Sequence, residues 1–249
     1  MLVRLRPVAF ILVLLVIWQI AISSHPGQLL PGPWQTLRGI GDLLQHGLLL
    51  KYVVASLFRV TWGFLLAAAI AIPLGLTIGW YRRAEMAFNP LVQIFRPISP
   101  LAWIPIAILW FGVGDASPIF LIFISSVFPM IVQTVVGVHT IEKRYLRAAE
   151  NFAVSNRALF MRVVIPAVMP QILVGMRIGL GVAWLVVVAA EMIALHSGLG
   201  YMIMDSRNAG NRYDLVVAGM IIIGLIGLSL DGFMRMLERV PWVRWRYAH

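Results

Sequence analysis

Arg59, Arg96, Arg177 and Glu191 lie within or beside long apolar runs. An ionisable group at membrane depth is costly unless it pairs with another charge or meets water, so each is a candidate for function. Arg177 and Glu191 stand fourteen residues apart on one run. At helical pitch they return to within about 40° of one face but roughly 21 Å apart along the axis, so they can line one path and cannot pair. Arg59 lies about 10 Å in from the end of its own run, a depth close to that of Glu191. These two are therefore predicted to pair, which makes removal of either one alone costly. Such a pair reads either as a buried tie that fixes helix positions or as a gate or solute contact. Were the solute an anion, Arg177 would be the better contact, and Arg177→Ala is expected to abolish uptake while leaving assembly intact. Trp184 is a further pathway candidate on the Arg177 run, although a lone aromatic in a helix is more often packing. His25, His46, His139, His196 and His249 are scattered without ligand spacing, so no metal site is expected.

A second constellation lies at residues 145–170. Lys143, Arg144, Arg147, Arg157 and Arg162 crowd into or beside it, and no bilayer could hold them. Tyr145, Leu146, Ala149, Phe152 and Ala153 recur at helical spacing and predict a short helix with one apolar face. Ser155 or Asn156 then caps a second short helix carrying Leu159, Phe160 and Val163, and Pro166, which lacks an N–H, is expected to end it. A greasy face on a basic loop reads as a docking surface for a partner, or as a helix lying on its own lipid headgroups.

The elements that position these groups are membrane spans. The chain of 249 residues is 61% hydrophobic and 12% charged, which marks an all-α integral membrane protein. It has no cysteine, which excludes disulfides and thiolate metal sites. Its net charge of +10 would point to nucleic acid in a soluble protein; here the basic residues collect in loops between apolar runs, so the lipid bilayer is the partner and nucleic acid is not. Six spans are expected, at about residues 8–22, 53–80, 91–113, 119–138, 172–195 and 215–230, within a single transmembrane domain over 1–249. Arg4 and Arg6 before the first run would also suit a secretory signal peptide, but it is read as a retained span. Residues 34–50 form a weakly amphipathic stretch and 196–213 a polar loop. The third span is broken by Pro90, Pro97, Pro100 and Pro105, and the backbone freed there suits either the wall of a cavity or a kinked packing helix. Gly175, Gly179 and Gly181 permit close helix approach.

Basic residues set the orientation. With both termini cytoplasmic, the inner segments hold Arg4 and Arg6, Arg82 and Arg83, the five cations at 143–162, and Arg235, Arg239, Arg244 and Arg246. The outer loops then hold only Arg38, Lys51, Arg207 and Arg212. Trp242 and Trp245 suit the interface.

The 145–170 stretch resembles the cytoplasmic coupling loop of ABC-importer permeases, whose pattern is Glu-Ala-Ala, three residues, Gly, nine residues, then Ile-x-Leu-Pro. Placed here it gives Arg147, Ala148 and Ala149, then Ala153, then Val163, Ile165 and Pro166. Arg147 stands where the family has an acid. Ala153 stands where it has glycine, and a left-handed turn at a residue with a side chain costs about 1–2 kcal/mol. Further phrases resemble the nitrate, sulfonate, taurine and bicarbonate branch: Leu30 to Pro33, Ser56 to Val60, Ile72 to Leu76, RPISPLAWIPIAILWFGVG at 96–114, Phe128-Pro129, Gly175 to Gly179, Ala189 to Met192 and Gly198 to Tyr201. In order and at family spacing, they cover residues 28–240.

The resemblance implies a type I permease fold in the bacterial inner membrane. It implies a homodimer of this chain, two cytoplasmic ABC ATPase subunits and an extracytoplasmic solute-binding protein. ATP and Mg would act in the ATPases, and this chain, which has no GxxxxGK[ST] loop, would carry no cofactor and no catalytic residue. A coupling segment at about 139–166 would take up the ATPase motion through Tyr145, Leu146, Arg147, Ala148, Ala149, Phe152, Ala153 and Pro166. A stand-alone channel or secondary carrier for a small anion is the alternative; such carriers usually show paired halves with matching broken helices, which this chain lacks. An intramembrane enzyme has no HExxH, GxSxG or cysteine nucleophile to work with.

Overall fold

Apolar runs in a bilayer must satisfy their own backbone, and the helix is how a continuous segment does so. The computed structural model describes residues 2–23 and 30–239, and every regular element among them is helical. In chain order these are α1 (Leu2–Ser23), α2 (Pro33–Gln45), α3 (Leu48–Trp80), α4 (Arg82–Phe95), a 3-10 turn (Pro100–Trp103), α5 (Ile104–Phe111), α6 (Ala116–His139) and α7 (Lys143–Asn151). There follow α8 (Asn156–Leu159), a π turn (Phe160–Val164), α9 (Ile165–Ala194), α10 (Leu199–Gly210) and α11 (Tyr213–Glu238). Pro26, His25 and the tail with Trp242, Arg244, Trp245, Arg246 and His249 lie outside the described residues, as do the side chains of Arg4 and Arg6.

The core is the layer made by α3, α6 and α9. Along α3, Gly63, Ala67, Ala71, Gly75 and Gly79 recur every four residues and so share one face. A Cβ at Gly63 would sit 2.6 Å from Ile122, and one at Gly75 would sit 2.7 Å from Thr134. Helices without a hydrophobic driving force between them associate by such close backbone approach. On α9, Gly175 and Gly179 meet α6 in the same way, but Gly181 faces open space, because it lies on the other side of that helix.

Four helices among the described residues are long and apolar enough to cross a membrane: α3, α6, the continuous Asn156–Ala194 and α11. A fifth crossing is made only if α4 and the Pro100–Phe111 pair count as one, and those two are bent by 86°. The third span, expected at about 91–113 and broken by its prolines, is two helices of which the first already starts at Arg82. α4 ends at Phe95, and Ser99 is extended ahead of Pro100, the conformation favoured before a proline, so the two helices are separated by residues 96–99. The first run is a helix whose apolar part, Leu12–Ser23, is shorter than these crossings.

The stretch at 34–50 is α2 up to Gln45, a turn at Gly47 with φ +66°, and the start of α3 at Leu48. Two expectations are corrected. The polar loop at 196–213 is α10, whose Leu199, Met202 and Ile203 are buried at helical spacing while Asp205, Arg207 and Asn208 stay exposed. Pro166 does not end a helix. The wider π turn just before it absorbs the missing N–H and the ring's clash with the preceding carbonyl, and the helix runs on from Asn156 to Ala194.

Candidate functional site

The segment that resembles a coupling loop contains α7, which ends in a Schellman motif: Ala153 N–H donates to Glu150 O at 2.9 Å and Val154 N–H to Ala149 O at 3.0 Å. Ala153 takes φ +49°, so the left-handed turn is kept although alanine replaces glycine. Two carbonyl groups satisfied at the helix end offset the side chain's cost. Ser155 then caps α8, its Oγ accepting from Ala158 N–H at 3.4 Å.

The predicted single apolar face of α7 is split. Ala149 is buried and Leu146 is half-buried, packed on Leu76, Val138, Ile141 and Val164 of the chain's own spans; Tyr145 is half-buried as well. Phe152 points the other way and is 82% exposed. Arg147, Ala148 and Ala153 are exposed beside it, and Pro166 is half-buried at the start of α9. The inner stripe seats the helix on the bundle; the outer stripe is left for something else. Trp80 at the end of α3 meets Phe160 edge-to-face at 5.9 Å, which ties the π turn to a second span.

Arg59 and Glu191 form the predicted pair, Nη1 to Oε1 at 2.6 Å. The pair is the centre of a larger knot at the end of the bundle opposite α7. Arg59 Nε donates to Asp115 Oδ1 at 2.7 Å, its Nη1 also to Ser197 O at 2.9 Å, and its Nη2 to Ser197 Oγ. Glu191 accepts from Ser56 Oγ at 2.8 Å and from Gly200 N–H at 3.0 Å, and Ser56 Oγ in turn accepts from Leu199 N–H at 3.0 Å. α3, α6, α9 and α10 are thus joined at one point. Gly198, with φ +104°, lets the chain pass against the Glu191 carboxylate, where any Cβ would collide. Asp115 and Ser197, polar residues next to glycines, escaped the sequence reading; Ser56 and Gly200 were visible only as members of phrases.

Arg177 is also paired, with two carboxylates that the sequence reading missed. Its Nε donates to Asp231 Oδ1 at 2.6 Å, and its Nη1 lies 3.5 Å from Glu238 Oε2. Asp231 also holds Arg235 at 2.7 Å. Those acids sit beyond the expected end of the last span, which continues as helix to Glu238. This clasp lines a cleft of about 610 Å³ between α9 and α11 that is otherwise mostly apolar. Trp184, on the same cleft, donates its indole N–H to Ile223 O at 3.1 Å and packs over Gly227. Arg177 stands near the middle of α9 and Glu191 in its last turn, each held by different partners, so the two share no site.

Arg96 differs from all of these. It is exposed at the end of α4, ahead of the 86° bend, and has no carboxylate partner among the described residues. Outside the spans, Arg212 bridges Asp214 at 2.7 Å and Asp42 at 3.3 Å, tying α2 to α11; the hydrogen bond it donates to Asp214 raises its pKa above the usual arginine value. Among the described residues no group of three or more His, Cys, Asp or Glu could hold a metal ion.

Residues 71–241 match the family described as binding-protein-dependent transport system inner membrane component. A protein of Methanocaldococcus jannaschii named as an ABC transporter permease is 44% identical over 86% of this chain and 78% of its own length. The nitrate import permease of Synechocystis is 37% identical over 94% and 88%, and the bicarbonate transport system permease of Synechococcus elongatus is 38% identical over 96% and 89%. In fold the chain is similar to the MetNI methionine ABC transporter in inward-facing conformations (TM-score 0.62, 17% identity, 77% of this chain and 97% of that one). It is also similar to a bacterial alginate ABC transporter in complex with a periplasmic protein (TM-score 0.64, 15% identity, 95% of each). A helical bundle with these apolar crossings, matched over more than half its length to that family, belongs to the inner membrane components of binding-protein-dependent transport systems and is the permease subunit of an ABC importer.

Proposed function

We propose that this permease works as one of two identical copies, driven by two ATPase subunits docked on the α7 elbow and supplied by a solute-binding protein on the opposite side. On this reading the termini and α7 are cytoplasmic, ATP and Mg act in the ATPases, and the solute is a small anion of the nitrate, sulfonate, taurine or bicarbonate class. The names of the relatives support the anion class, and the distribution of Lys and Arg supports the orientation.

One observation carries the coupling. The helix runs unbroken from Asn156, next to the elbow, to Ala194, next to the Arg59–Glu191 knot. A push on α7 is therefore delivered along one rigid rod to the far side of the bundle. Phe152 offers the elbow's anchor, an exposed aromatic among the exposed cations Lys143, Arg147 and Arg157, which have no carboxylate partner among the described residues. Large aromatics ringed by polar residues dominate interface energetics.

Phe152→Asp, made in the co-expressed transporter, tests this. The ATPase is expected to be lost on purification while the permease still accumulates in the membrane. Undiminished recovery of the ATPase would remove Phe152 from the docking surface.

A further inference from the structure

Of the charges inside this bundle, Arg96 alone among Arg59, Arg96, Arg177 and Glu191 is left without a counter-charge among the described residues. Its depth follows from what α4 touches. Glu85, near the start of α4, reaches His139 at the end of α6 (3.7 Å), and Phe95 stacks on Phe128, midway along α6, with ring centroids 6.3 Å apart. α4 therefore climbs through the half of the bundle nearest the coupling segment and ends at mid-depth, where Arg96 stands.

Arg96 is not isolated in type. Glu85, Asn89, Gln93 and Arg96 follow one another at intervals of four, four and three residues. Glu85 and Arg96 return to within about 20° of one helical face over roughly 16 Å of rise, with the two amides within about 80° of them. Asn89, Gln93 and Arg96 are exposed, and Gln93 Nε2 donates to Asn89 Oδ1 at 3.4 Å. Glu85, Asn89 and Gln93 border a cavity of about 170 Å³ between α4 and α6. Leu91 and Ile94, on the opposite face, are apolar and exposed. A helix with two such faces at membrane depth turns the apolar one to lipid, and a free guanidinium there has to meet water or protein.

We propose that the polar face of α4 is a wall of the water-filled solute path and that Arg96, at its inner end, is the contact that selects for anions. Asn89 and Gln93 supply neutral donors along the approach, and the Glu85 carboxylate at its mouth lies 3.7 Å from the His139 ring. Arg177 is unsuited to that task, because Asp231 and Glu238 already answer its charge. The inference rests on the anion class proposed above.

The chain's lack of cysteine gives a clean background for the test. Single variants Asn89→Cys, Gln93→Cys, Leu91→Cys and Ile94→Cys are made in the complete transporter. Each is labelled in inside-out membrane vesicles with anionic methanethiosulfonate ethylsulfonate and with its cationic trimethylammonium counterpart. Cysteines at 89 and 93 are expected to react about tenfold faster than those at 91 and 94, because only a hydrated thiol ionises. The anion-to-cation rate ratio at 93 is expected to fall roughly fivefold when Arg96→Gln is added, from the loss of one nearby unit charge in a wet site. Equal rates on the two faces overturn the path, as does oxidative cross-linking of position 93 between copies with no reaction to either reagent. An unchanged ratio with Arg96→Gln overturns the anion contact. Labelling needs neither transport nor a bound ATPase, so failure of the docking reading leaves these outcomes separate.

Discussion

Arg59 Nη1 donates to Glu191 Oε1 at 2.6 Å, and the two side chains are 2% and 0% exposed. Most other contacts of the knot radiate from these two: Asp115 at the start of α6, Ser56 on α3, and the Ser197 to Gly200 turn that opens α10. Their polar atoms are engaged by protein, and the knot holds the end of the helix that runs from Asn156 to Ala194.

Removing one member of this pair leaves a bare buried charge. Arg59→Ala or Glu191→Ala is expected to destabilise the permease by about 3–5 kcal/mol, whereas Arg59→Met with Glu191→Leu recovers most of it. Thermal denaturation of the detergent-extracted protein, followed by size-exclusion chromatography, reads this out. A double variant as weak as the sum of the single ones would show that the two charges are not coupled.

Gly198→Ala is expected to disturb the same knot without touching a charge. Its φ of +104° is strained for alanine, and the added methyl meets the Glu191 carboxylate, so α10 must shift. The cost is about 2 kcal/mol or more. A melting temperature equal to that of the parent protein would mean that the turn has another conformation.

At the coupling end, Ala153→Gly is expected to stabilise the elbow by about 1 kcal/mol, since φ +49° costs glycine nothing. Ala153→Val should do the opposite, because a branched Cβ crowds the left-handed turn. Rates of proteolytic cleavage between α7 and α8 measure both. Slower cleavage of the valine variant than of the glycine variant would contradict the Schellman geometry.

The Arg177 clasp makes a different prediction from the one the sequence suggested. Arg177→Ala frees Asp231 and Glu238 against apolar neighbours, so α11 is expected to loosen from α9 and assembly to suffer. The exchange Arg177→Asp with Asp231→Arg restores the attraction and should recover assembly better than either single change. Normal recovery of the Arg177→Ala variant, with uptake alone abolished, would return Arg177 to the solute path.

Much of this protein was legible before any coordinates. Membrane residence followed from apolar runs that water cannot solvate, and the interruption between α6 and α9 from five cations that lipid cannot. The Arg59–Glu191 pair followed from two opposite charges at one depth, each intolerable alone. Local chemistry of that kind is written in a residue and its neighbours. What stayed hidden depended on which faces meet. Asp231 and Glu238 went unnoticed beyond the expected end of a span until α11 laid them beside Arg177. The apolar stripe of α7 looked uniform until the bundle took Leu146 and Ala149 for itself and left Phe152 outside. Pro166 looked like a stop until a wider turn absorbed it. Arg96 was one of four charges until packing gave the other three their partners. Sequence alone determined which groups the bilayer could not tolerate unaided; the tertiary structure decided which of them found relief within the chain, because pairing at a distance is set by helix register and rotation and not by residue type.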